Sequence, residues 1–230
     1  MPFFFIDYLY IILVVPALVF AMIAQARVNS AFRKYARVPT RRNITGAQAA
    51  EAILRQNGIS HIRVERIAGN LSDHYSPKEN VIRLSEGVFD STSVAAVGIA
   101  SHEAGHAVQY AEHYGPIRVR NAIIPVCNIG SSLAIPLILI GWVLSVPVLA
   151  TVGIAFFLLA VVFQLITLPV EYNASNRAMD AMEGQRLLYE DELPQAKKVL
   201  SAAALTYVAS LLVSLAQLAR LLLLNRGRRR

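Results

Sequence analysis

The sequence predicts a mainly α membrane protein: transmembrane helices joined to a small α+β insert with a short β-sheet. Three observations point there. Apolar residues make up 55% of the 230 residues and charged residues only 16%, a balance foreign to ordinary water-soluble domains. From Asn121 to Val170 there are fifty consecutive residues without Asp, Glu, Lys, Arg or His. A helical crossing takes about 20 apolar residues, so this stretch holds two crossings and a short turn. Polar residues gather instead in one interval, 43 to about 120, whose pattern is that of short helices and strands.

Taken in order, the elements divide the chain into five parts. Residues 1–26 form an N-terminal anchor, with Asp7 the only charge between Phe3 and Ala24. Ala24-Gln-Ala26 resembles a signal-peptidase site, but the missing basic residues at the start and the long apolar run favour a retained span. Residues 27–120 are the polar region. Thr45-Gly-Ala-Gln48 reads as a capping box that opens a helix, which Asn57-Gly58 ends. His61–Ile67 alternates as a half-buried strand does, and Leu71–Ser76 and Asn80–Ser85 flank Pro77-Lys-Glu79 as a hairpin. Residues 121–170 form the transmembrane helical hairpin, breaking at Ser145-Val-Pro147. Residues 171–199 form a further helix, for which Pro169 suits the start. Residues 200–230 are a transmembrane or interfacial helix and a basic tail.

Charge placement bears on orientation and partners. The net charge is +7, but the basic residues cluster beside apolar spans, which speaks for lipid contact and against nucleic acid. Six basic residues and no acidic one lie between Arg27 and Arg42, placing that segment in the cytoplasm. The tail Asn225–Arg230 makes the same demand. With four crossings these two clusters lie on opposite sides, so either one cluster misleads or the last segment does not fully cross. The single cysteine, Cys127, excludes an intrachain disulfide.

One stretch concentrates ionisable groups among small apolar residues: Ser101-His-Glu-Ala-Gly-His-Ala107. With five His and ten Glu in the chain, His-Glu-x-x-His arises by chance about 0.005 times. Ser93 to Tyr110 is proline-free and reads as a helix, on which His102 and His106 lie about 40° apart on one face. That spacing suits two imidazole ligands to one metal ion, in contrast to two histidines that merely hydrogen-bond to neighbours. Glu103, turned by about 100°, flanks the metal and can take a proton from an activated water.

A catalytic zinc site keeps three protein ligands and an open position. His113 lies about 10 Å further along the helix axis than His106 and cannot reach the same ion. Positions 109 and 112, where a short HExxHxxGxxH site needs Gly and His, hold Gln109 and Glu112. Glu171 is the first charged residue after the apolar hairpin, and two crossings return it to the side of His102 and His106. It is therefore the expected third ligand, against the alternative of a solvated carboxylate at a membrane boundary. Ser175, one turn on, is a candidate hydrogen-bonding partner for a ligand, in competition with Asn173 and Asn176. Arg177 and His74 are candidates for an oxyanion donor. Asp180 and Glu183 read as solvated helix positions. The small sheet either aligns an extended peptide along its edge or simply covers the helix.

The stretches HEAGHAVQ and LPVEYNASNRAM, separated by a membrane hairpin, resemble the bacterial membrane zinc metallopeptidases of the YugP type. The resemblance extends over nearly the whole chain, including LSDHYSP and NVIRLSEGVF in the polar insert. It implies a gluzincin-like insert holding one Zn2+ on His102, His106 and Glu171, with Glu103 as general base, and a protein or peptide substrate. More distantly the chain is similar to HtpX-type and CAAX prenyl-type membrane proteases, whose glutamate motif runs ExxxD. Here that last position is Ser175, so their hydrogen bonding and substrates do not carry over. The implied localisation is a multi-pass protein of the cell membrane with its active site on the cytoplasmic side. Two rivals stand beside a surface endopeptidase. One is a protease cutting inside the bilayer, for which too few apolar residues precede His102. The other is a non-catalytic membrane scaffold or chaperone-like protein with a structural or vestigial metal site.

Overall fold

The computed structural model describes residues 7–228, which fall into two compact units woven from the same chain. Among the described residues one contains 7–24, 118–169 and 206–228; the other contains 25–117 and 170–205. Among the described residues four helices are long and apolar enough to cross a membrane: Tyr10–Tyr35, Gly115–Val143, Pro147–Gly184 and Leu193–Gly227.

The apolar unit is built from parts of those helices. A π-helical turn, Tyr10–Val14, leads into α1 (Val15–Tyr35), while α5 (Gly115–Val143), α6 (Pro147–Gly184) and α7 (Leu193–Arg228) supply the rest. The hairpin turn falls where the sequence breaks. Ser145 takes a left-handed φ of 55°, and the Val146 N–H returns to the Gly141 carbonyl at 2.8 Å, satisfying the end of α5. Ile138, Trp142, Ala150, Ile154 and Leu221 form the apolar cluster that joins α5, α6 and α7. A Cβ on Gly153 would lie 2.7 Å from the Ala134 carbonyl oxygen, so the backbones of α5 and α6 meet at a position only glycine allows.

A charge pair in the same unit joins Asp7, just ahead of the π-helical turn, to α7. Arg220, 4% exposed, donates from Nε and a terminal nitrogen to Asp7 Oδ2 at 3.0 and 2.6 Å. Its guanidinium also stacks 5.3 Å from the Tyr10 ring centroid, and Asp7 Oδ1 accepts from the Tyr10 N–H at 2.9 Å.

The polar unit forms around α4 (Val94–Ala111). Ser93 caps it, its hydroxyl accepting from the Ala96 N–H at 3.2 Å, and thirteen of its eighteen residues are buried. Ala95, Ala96, Ala100, Ala104 and Ala107 are fully buried, so small side chains let neighbours close on α4 from several directions. This is why so apolar a helix carries the ionisable motif: it is the central helix of a protein core, and it is not among the four candidate crossings. Helix α2 (Gly46–Gln56) packs on it, opened by the expected capping box between Thr45 and Gln48. Gly58, at φ 69°, follows its C-cap.

Strands β1 (Arg63–Ile67), β2 (His74–Ser76) and β3 (Val81–Ser85) make a sheet of order β1-β3-β2. The hairpin is present, with β2 antiparallel to β3, while β1 pairs parallel to β3 and leaves β2 at an edge. The four-residue helix α3 (Glu86–Phe89) bridges β3 and α4. Glu192, buried, accepts from the Arg41 and Tyr189 N–H groups at 2.8 and 2.7 Å, tying the segment before α2 to the start of α7.

Pro169 does not start a helix. It sits inside α6, which runs unbroken from the apolar stretch through Glu171 to Gly184, and the next helix begins only at Leu193. The appearance of charge marks a change of surroundings and not a break in backbone hydrogen bonding. An interior proline is tolerated where packing holds the helix, as Pro125 and Pro136 also show in α5.

Asp7→Ala leaves a buried guanidinium without its carboxylate. It is expected to destabilise the detergent-solubilised protein by about 3–5 kcal/mol, and Asp7→Ala with Arg220→Leu to regain most of that. Unfolding midpoints measure both; an equally large loss in the double variant would show that pairing is not the stabilising feature.

Candidate metal centre

Two helices of the polar unit build the site. Helix α4 supplies His102, Glu103, His106 and Gln109, and the last part of α6 supplies Glu171, Asn173, Ser175 and Arg177. They meet where a side chain is missing: a Cβ on Gly105 would lie 2.7 Å from the Ala174 carbonyl oxygen. The glycine inside the motif thus sets how near Glu171 comes to the imidazoles.

The structure brings His102, His106 and Glu171 together. Glu171 Oε2 lies 3.4 Å from Nε2 of each histidine, and the three ligand atoms all fall within 4.8 Å of one another. The two rings stand nearly perpendicular, at 82°, with centroids 4.8 Å apart. Ligand bonds of about 2 Å in a tetrahedral shell put donor atoms roughly 3–4 Å from each other, so the cluster is close to that size.

Hydrogen bonds to the far side of each ring aim the ring nitrogens. Gln109, fully buried, donates from Nε2 to the Val170 carbonyl and to Asn173 Oδ1, both at 2.8 Å. A backbone carbonyl can only accept, so the amide nitrogen must face it and Oε1 must face His106, 3.0 Å from Nδ1. His106 therefore donates from Nδ1–H and keeps its Nε2 lone pair for the centre of the cluster. Ser175 Oγ lies 3.2 Å from His102 Nδ1 and can accept in the same way.

This geometry fits a cation. Glu171 is 3% exposed, and its Oε2 is buried with no hydrogen-bond donor while two imidazole nitrogens converge on it. A buried carboxylate oxygen without a partner is costly, and a divalent ion among the three groups removes that cost. Two imidazoles and one carboxylate are a donor set suited to zinc. Without the ion, burial disfavours the charged His106 ring, but Glu171, Glu103 and Gln109 outweigh it and raise its pKa above the ordinary histidine value. Metal binding then displaces a proton.

The other predicted residues occupy different places. Glu103, 9% exposed, follows His102 on α4. Arg177 is committed: its Nε donates to Asn173 Oδ1 at 2.8 Å, a terminal nitrogen pairs with Glu112 at 2.7 Å, and the guanidinium lies 5.9 Å from the Tyr114 ring centroid. Those contacts make it a support for Asn173 and so for Gln109. His74 stands on β2, with Nδ1 2.8 Å from the Ser72 carbonyl oxygen, so Nε2 donates only when the ring is charged. His113 takes φ 54° just beyond α4 and lies outside the cluster. Sequence reasoning missed Gln109, treating it only as a place where glycine was absent. The available signal was an amide three residues after a ligand histidine, on a helix otherwise poor in polar side chains.

Four long apolar helices together with a His-Glu-x-x-His helix and a converging glutamate define a membrane-type protein with a candidate metal centre. The chain belongs to the family described as "Putative neutral zinc metallopeptidase", which it matches over residues 10–226. It is 45% identical over 216 residues to "Putative membrane protease YugP" of Bacillus subtilis (strain 168), an alignment covering 94% of this chain and 96% of that protein. No solved structure matches the chain.

Replacing the Gln109 amide by an apolar side chain of similar length, in Gln109→Leu, frees the His106 ring and is expected to weaken zinc affinity about 10–100-fold. Competition with a chromogenic chelator measures this; an unchanged affinity would remove the amide from the centre. Gly105→Val is expected to lower bound zinc further, because it pushes α6 away from α4.

Proposed function

We propose that the protein is a membrane-embedded zinc metalloendopeptidase that hydrolyses peptide bonds of protein or peptide substrates. The observation that carries this reading is the buried, donor-free Glu171 Oε2 between two oriented imidazoles, with a second carboxylate, Glu103, on the same helix. His102, His106 and Glu171 hold one Zn2+, and Glu103 stays outside the ligand set. When bound, zinc supplies Lewis acidity, making water more acidic and a carbonyl more electrophilic. Glu103 accepts a proton from the attacking water on its carboxylate and then delivers it to the nitrogen of the leaving amine. Ser175 and Gln109 hold the two rings so that the geometry needs no rearrangement during the reaction.

The free edge of β2 supports a place for the substrate. This strand bonds only to β3 among the described strands, packs near α4, and sets Tyr75 edge-on to Tyr110 at 5.4 Å. An extended peptide adding to that edge runs alongside the motif helix. His74 on the same strand is a candidate donor to the developing oxyanion, and Arg177 a weaker one because two of its nitrogens are engaged by Asn173 and Glu112.

The six basic residues after the first candidate span support a centre on the cytoplasmic side of the cell membrane. The last helix is long enough to cross, and a crossing there requires that the basic segment after the first span outweigh the basic tail in setting orientation.

Casein or a model peptide tests the reading. Glu103→Gln is expected to keep its zinc and lose cleavage by roughly 100-fold or more, whereas Glu171→Ala is expected to lose both. Chelation is expected to abolish activity and added zinc to restore it. A wild-type protein that binds zinc but cleaves nothing would favour the scaffold reading.

A further inference from the structure

Four cations line one groove of the polar unit without an acid among them. The groove, about 650 Å3, is formed by the last turns of α1 and the first turns of α7. Arg27 and Lys34 enter it from α1, Lys197 and Lys198 from α7, while its walls are largely apolar, with Ala31 and Leu205 on opposite helices. Like charges gathered in this way repel, and none of the four pairs with a carboxylate among the described residues. Of the acids just before α7, Asp191 is held by Arg41 and Glu192 by the Arg41 and Tyr189 N–H groups, and none of them lines the groove. All four cationic side chains are exposed, and Lys34 Nζ lies 5.4 Å from the Tyr35 ring centroid.

The helices that form the groove decide what fits it. Both α1 and α7 are candidate membrane crossings, and the groove lies at the end of each where apolar sequence gives way to charge. Its occupant therefore needs two parts, an anionic group to satisfy the cations and an apolar body to lie along the walls. An acidic protein segment offers only the first. We propose that this groove binds an anionic phospholipid, its phosphate held among Arg27, Lys34, Lys197 and Lys198 and an acyl chain lying against Ala31 and Leu205. Such a lipid neutralises the repulsion and ties α1 to α7 at the membrane surface.

Native mass spectrometry of the full-length protein, offered equal amounts of phosphatidylglycerol and phosphatidylcholine in neutral detergent, tests this. The wild type is expected to retain phosphatidylglycerol roughly tenfold or more over phosphatidylcholine. Lys197→Gln with Lys198→Gln is expected to remove most of that preference, and Lys197→Arg with Lys198→Arg to keep it. Arg33→Gln with Arg37→Gln, exposed cations of the same segment that do not line the groove, is expected to change little. Equal retention of the two lipids by the wild type overturns the proposal without recourse to any variant. An equal loss in the Arg33 and Arg37 variant overturns it as diffuse attraction. A polyglutamate peptide that displaces the phospholipid would show a polyanion site in its place.

Discussion

A buried carboxylate oxygen that no hydrogen bond satisfies is the constraint from which the polar unit follows. Glu171 Oε2 stands 3.4 Å from two imidazole nitrogens, and the far nitrogen of each ring faces a polar side chain, Gln109 for His106 and Ser175 for His102. Everything nearby keeps that arrangement in place. Gly105 lets α6 approach α4, the Val170 carbonyl fixes the Gln109 amide, and the amide fixes the His106 ring. Arg177 secures Asn173, which accepts from the same amide. The chain thus holds a metal-sized gap between two helices by backbone groups as much as by side chains.

The same reasoning explains the composition of α4. A helix that must lie close to α2, the sheet and α6 at once has little room for large side chains, so alanine fills it and the two histidines face Glu171 on α6. Strong apolar character here signals a protein core and not a crossing. The supporting polar groups are asymmetric: an amide holds His106 while a hydroxyl faces His102. The His102 ring thus has a neutral partner in Ser175, as the His106 ring has in Gln109.

Charges elsewhere follow the physics of their surroundings. Arg220 is buried and is matched to Asp7 with two hydrogen bonds, as an apolar environment demands. Arg27, Lys34, Lys197 and Lys198 are exposed at the ends of apolar helices and pair with no carboxylate among the described residues. The first arrangement is neutralised within the protein, and the second is left open to solvent and to the membrane surface we propose it meets.

The membrane-protein class was legible in the sequence because long uncharged runs are a one-dimensional property. So were the caps at Thr45 and Ser93 and the turn at Ser145, each set by residues within a few positions. The histidine pair was legible too, since a spacing of four fixes two side chains on one helical face whatever surrounds it. Glu171 could be nominated by order along the chain, but not its distance from the histidines, which depends on two helices meeting at Gly105 and Ala174. The parallel pairing of β1 with β3, the continuity of α6 through Pro169 and the role of Gln109 were decided by tertiary structure alone. Each depends on which groups from distant parts of the chain lie opposite one another, and local pattern carries no record of that.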